Sequence, residues 1–200
     1  AIADMQMLSD ADPANKEWRL QLAQFYSADK RPRKAIETVN DVLKADAENM
    51  MAIRIRGDAY LSIGKHAEAV ADLEAALKQD PKNSGILNNL SWVLSTSPDD
   101  NVRNGKRAVE LALQACEATE YKKPHILSTL ASAYAESGDW ENAVKWSTKA
   151  VELGSEGDKE IGEQLQKELD GYKEKKPFRE KQETPEKESK PKPSRNDLEI

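Results

Sequence analysis

Apolar and polar residues do not alternate for long anywhere in this chain, so its pattern predicts helices and leaves no room for half-buried strands. The apolar positions return instead at a long, fixed interval. When "MMAIRIRGDAYLSIGKHAEAVADLEAALKQDPKN" (50–83) is laid over "KEWRLQLAQFYSADKRPRKAIETVNDVLKADAEN" (16–49), Tyr60 falls on Tyr26, Ala69 on Ala35 and Leu77 on Leu43, a shift of 34. The segment "PHILSTLASAYAESGDWENAVKWSTKAVELGSEG" (124–157) brings Tyr134, Gly138, Ala143 and Ala150 into the same register. Between them, 84–123 carries Leu90, Ser91, Leu94, Ala108 and Ala115, with six extra residues mostly around "TSPDDNVRNG". Each unit reads as two helices joined by a turn. Gly64 and Gly138 sit at that turn, where left-handed backbone is needed; Lys30 holds it in 16–49, with Pro32 near the start of the next helix.

Two antiparallel helices approach closely only where their side chains are small. The eighth position of each unit supplies Ala23, Gly57, Ser91 and Ala131, and the twentieth supplies Ala35, Ala69, Ala108 and Ala143. A large residue stands at the eleventh (Tyr26, Tyr60, Leu94, Tyr134) and a small one at the twenty-seventh (Val42, Ala76, Ala115, Ala150). Four copies of this pattern resemble the tetratricopeptide repeat, whose period is about 34 residues. The resemblance implies an all-α fold: an α-solenoid of stacked antiparallel helix pairs forming a superhelix, with repeats at 16–49, 50–83, 84–123 and 124–157.

The two ends extend this reading. Carried backward, the register puts Ala1 at position 20, Met5 at 24, Leu8 at 27 and Pro13 at 32, where Pro81 stands in 50–83. Residues 1–15 are therefore expected to be the second helix of a truncated repeat, in a piece of a longer protein, with Ile2, Met5 and Leu8 partly uncovered. Such an end is expected to fray, or to be buried against another chain. Beyond the repeats, Ile161, Leu165, Leu169 and Tyr172 share one face of a predicted capping helix (158–176), with Asp158 as its N-cap. The segment 177–200, rich in proline and charge, is expected to be disordered.

Composition narrows the function. The chain is 33% charged and 6% aromatic, with a net charge of −6 and pI near 5.2, which argues against nucleic-acid binding. No run of about 18 apolar residues suits membrane insertion. Nothing fixes the cell compartment, since Cys116 is the only cysteine. His66 and His125 lie in different repeats without a second cysteine, so no metal site or cofactor is expected, and no nucleophile–base pair or phosphate loop supports catalysis.

Binding remains. In the family that the repeats resemble, the first helices line a concave wall, and the corresponding positions here are Gln24, Arg54, Asp58, Asn88, Asn89, Trp92, Ser95, His125, Ser128 and Ser132. Amide and hydroxyl groups with one Trp suit an extended peptide. Each has a plainer role: Trp92 packing between neighbouring helices, Asn88 and Asn89 bonding across the wall, Arg54 pairing with Asp58. A clamp for a terminal carboxylate, known among such repeats, is matched at Asn89 and in charge at Arg54. His125 and Thr129 depart from it, and Asp58 has the wrong sign. The expected function is a non-enzymatic scaffold holding a protein or peptide segment. The alternatives are a structural or oligomerisation module, self-associating through 1–15 or the tail, and a substrate-recruiting appendage of an enzyme.

Overall fold

A computed structural model describes residues 2–154 and 159–180, and within them ten helices and no strand. They are α1 (Ile2–Ala11), α2 (Lys16–Ala28), α3 (Pro32–Ala45), α4 (Met50–Ser62), α5 (His66–Gln79), α6 (Ser84–Thr96), α7 (Gly105–Ala118), α8 (Pro124–Glu136), α9 (Trp140–Gly154) and α10 (Lys159–Lys173). The pairs α2/α3, α4/α5, α6/α7 and α8/α9 pack as antiparallel hairpins and stack in chain order, giving an all-α solenoid. Their starts repeat as well. Asn15, Asn49 and Asn83 each cap the first helix of a pair by accepting from its exposed backbone N–H groups, while α8 opens on Pro124 instead.

The small positions form the tight crossings. Ala23, Ala35, Ala69, Ala108, Ala131 and Ala143 are all fully buried. A Cβ on Gly57 would stand 3.2 Å from Asp72 Cβ and Leu73 Cγ, and Ser91 Oγ donates to the Ala108 carbonyl across the same kind of contact (2.8 Å). The turns are alike too. Arg31 N–H bonds back to Tyr26 O, Lys65 to Tyr60 O and Asp139 to Tyr134 O, around Lys30, Gly64 and Gly138 at positive φ (57°, 72°, 81°). One half-buried ion pair ties three helices: Arg56 holds Asp72 through two bonds (2.7 and 2.8 Å) and Asn40 through a third (3.0 Å).

The insertion in 84–123 forms a turn after α6 and delays α7 until Asn104 caps it. Asn104 N–H returns to Leu94 O (2.8 Å), and Gly105 passes so close to α8's end that a Cβ would lie 2.8 Å from Ser137 N. Arg103 then bonds Ser97 O, Asp100 and Glu136.

Three expectations at the ends change. Met5 is buried against α2 together with Ser9, because α1 lies flat on that helix; Met7 and Leu8 are the exposed apolar residues. Ile161 is 54% exposed, and the covered residues of α10 are Leu165, Glu168, Leu169 and Tyr172. Residues 178–180, in the segment expected to be disordered, lie against α6 and α8, where Phe178 meets an aromatic partner on α6 and Arg179 an acidic one on α8. Asp158 and 181–200 are outside the described residues.

Candidate functional site

The first helices α4, α6 and α8 present one wall, and α10, packed on α9, bonds to α8 and lines the space beside that wall. Leu165 sits directly over Gly154, where an added Cβ would come within 2.6 Å of Leu165 Cδ1. At its far end α10 is pinned to α8: Ser128 Oγ donates to Glu168 Oε2 (2.5 Å), and the Ser132 and Tyr172 hydroxyls share a bond (2.8 Å). Between wall and helix an open cleft of about 520 Å³ remains. Leu61, Trp92, Ile161 and Leu165 supply its apolar surface, and Asn88, Asn89, His125, Ser128, Thr129, Glu160, Gln164 and Glu168 its polar one.

Five of the ten sequence-predicted residues meet here: Asn88, Asn89, Trp92, His125 and Ser128. The other five do not. Gln24 lies apart on exposed α2 with its amide near Met51 Sδ (3.7 Å). Arg54 also reaches Met51 Sδ (3.3 Å) rather than closing on Asp58, which takes its hydrogen bond from Asn89 Nδ2 (2.9 Å). Ser95 is buried, and its hydroxyl bonds back to Ser91 O and Trp92 O of its own helix. Ser132 is covered by Tyr172. Sequence reasoning missed the α10 side of the cleft, Glu160, Ile161, Gln164, Leu165 and Glu168. Their four-residue spacing signalled an amphipathic face, but not that it would stand opposite the wall.

Asn88 donates to Asn89 Oδ1 (3.0 Å) and Asn89 to Asp58, a relay running from the cleft to α4. Asn88 Oδ1 heads it without a partner. Burial raises the Asp58 carboxyl above its ordinary range, against the Asn89 bond and the Arg54 charge, which lower it. Burial raises Glu168 likewise, opposed by its bonds from Ser128 and Gln164. Partial burial, and then the Lys123 charge, lower the His125 imidazole from its ordinary value, which disfavours its charged form. Among the described residues no Lys or Arg lines the cleft, which therefore offers no cation there for a terminal carboxylate. Among the same residues, no group of three or more His, Cys, Asp or Glu is placed to hold a metal ion, and no helix is long and apolar enough to cross a membrane. Cys116 is buried with its thiol pushed up to about 12, directed at Ile126 O (3.9 Å).

Comparison with known proteins agrees with this architecture. The tetratricopeptide repeat family matches residues 20–84. A curated relative, DnaJ homolog subfamily C member 3 of Rattus norvegicus, is 28% identical over 90 residues, which are 43% of this chain and 18% of that protein. Among solved structures, MamA superposes with a TM-score of 0.63 at 23% identity over 78% of this chain and 87% of its own. A thermophilic tetratricopeptide-repeat protein of Thermus thermophilus superposes with a TM-score of 0.64 at 16% identity, covering 84% and 88%. At these identities the solved structures speak for the fold alone.

Proposed function

For this chain, a tetratricopeptide-repeat protein, we propose that the cleft between the α6/α8 wall and α10 is a binding site for an extended protein segment, and that the chain serves as a non-catalytic scaffold. The observation that carries this reading is the composition of the cleft. Leu61, Trp92, Ile161 and Leu165 form a pocket for one or two apolar side chains, ringed by neutral amides and hydroxyls from Asn88, Asn89, Thr129 and Gln164. A peptide backbone presents N–H and C=O groups in alternation, and amide side chains answer both. Trp92 offers the rigid apolar anchor around which such interfaces concentrate their affinity. A lining without lysine or arginine among the described residues favours an internal segment over a carboxyl terminus.

The test is capture of partners by the full chain, compared with Ile161→Asp and with Lys145→Asp on exposed α9. Ile161 is exposed, so the charge leaves the fold intact while entering the apolar part of the cleft. Specific partners are expected to fall by about tenfold or more with Ile161→Asp and to persist with Lys145→Asp. Equal capture by all three overturns the reading. A second reading, self-association, has the exposed Met7 (72%) and Leu8 (43%) of α1 in its favour. It predicts a dimer that Met7→Glu dissociates in analytical ultracentrifugation.

A further inference from the structure

The segment after α10 is held as a bound peptide is held, not as a helix is packed. The turn that closes α10 passes through Lys175 in the left-handed region (φ 57°), with Lys176 N–H bonding back to Gly171 O (2.9 Å). Pro177 then sends the chain back along α6 without secondary structure of its own. Three consecutive side chains enter three different environments. The Phe178 ring packs on Trp92 (centroids 5.5 Å apart, 40° between planes), at the edge of the small cluster of Ala131, Ala135, Ala143 and Tyr172. The Arg179 guanidinium pairs with Glu136 (2.6 Å) and donates to Ser95 O (3.3 Å). The Glu180 carboxylate accepts from Trp92 Nε1 (2.8 Å), and its backbone N–H donates to Thr96 O (2.8 Å).

Each environment has a physical preference. The Ser95 and Thr96 carbonyls lie in the last turn of α6, where helix carbonyls lack intrahelical partners and favour a cation. Glu136 is a fixed acid for that cation, held on its other oxygen by Arg103 (2.9 Å). The Trp92 indole is both a stacking face and a donor, so it takes an aromatic ring and a carboxylate side by side.

We propose that Phe178-Arg179-Glu180 is an internal ligand, and that the α6/α8 subsite it fills accepts in exchange a partner's extended segment with the same order: aromatic, arginine, carboxylate. This rests on the cleft reading above and gives the partner's chemistry, because Trp92 lines the cleft and contacts the internal segment alike. A partner segment that takes the positions of Phe178, Arg179 and Glu180 on Trp92 and Glu136 displaces the internal one. The tether sets the competition, since a short linker presents its own ligand at a millimolar effective concentration.

The experiment uses the full chain and an opened full-length variant, Phe178→Ala, Arg179→Ala and Glu180→Ala, first matched in helicity and thermal midpoint. The probe is a fluorescent peptide of residues 175–180, Lys-Pro-Phe-Arg-Glu preceded by one further Lys, read by anisotropy beside a scrambled peptide. The opened variant is expected to bind the ordered peptide about tenfold or more tighter than the full chain. Glu136→Gln in the opened background is expected to weaken that binding, and the scrambled peptide to bind neither protein. Equal affinity for the two proteins, no binding to the opened variant, or equal binding of the scrambled peptide each overturns the proposal. If the peptide fails while partner capture still depends on Ile161, the internal-ligand inference falls and the cleft stands. If the peptide binds as expected while Ile161→Asp leaves capture unchanged, the cleft reading falls instead.

Discussion

Lys30, Gly64 and Gly138 do the same work in three turns, but only two of them are suited to it. A left-handed φ costs a residue with a Cβ about 1–2 kcal/mol, and Lys30 bears that cost at φ 57°. Lys30→Gly is therefore expected to raise stability by about 1 kcal/mol in urea denaturation, with unchanged helicity. Gly138→Ala is expected to lower it by a similar amount; nothing lies within 4 Å of its missing Cβ, so the backbone alone is tested. No change in either variant would show that these turns relax freely. At this scale much was legible. The small residues at the crossings and the turn glycines are dictated by close helix approach, and that constraint repeats every 34 positions. Trp92 was legible only as a wall residue. Its partners, Phe178 and Glu180, lie far along the chain in a segment whose composition argues for disorder. The hydroxyls of Ser95 and Ser132 were misjudged for another reason: a polar residue on a wall-facing position can satisfy itself within its own helix or beneath a neighbour.

Among the helices, α10 decides whether the wall is an open surface or one side of a cleft. Its apolar face was readable from Leu165, Leu169 and Tyr172, but periodicity identifies a face without identifying what covers it. Burying Glu168 in that face sets a pH dependence. Its folded pKa lies above its ordinary 4.5, so it adds stability while protonated, and that contribution is lost as pH rises through the folded value. Glu168→Gln keeps an acceptor for Ser128 Oγ and removes the ionisation. The thermal midpoint of Glu168→Gln minus that of wild type is expected to be flat below about pH 4.5 and to increase as pH rises above it. Taking the difference cancels the carboxyls whose pKa is lowered, such as Asp41, Asp46 and Asp139, which act in the opposite sense. A difference that falls with pH would mean that Glu168 is stabilised in its charged form.

Across the whole molecule, burial runs without a break: the core around α1–α4 and the one from α4 to α10 both pack on Leu43. That continuity is what a repeat of small and large residues builds, which is why the all-α solenoid was readable from sequence. The cleft was legible only in part: its wall comes from the first helices of the repeats, but its other side comes from α10, whose place opposite that wall no repeat position encodes. Whether this cleft holds a protein segment is decided by site-specific photo-cross-linking. A photoreactive amino acid replaces Ile161 in one full-length sample and Lys145, on the exposed face of α9, in another. Cross-links are expected from position 161 to one short segment of a captured partner, and none to that segment from position 145. Cross-linking of that segment from position 145 alone would contradict the cleft reading and place recognition on the outer helices.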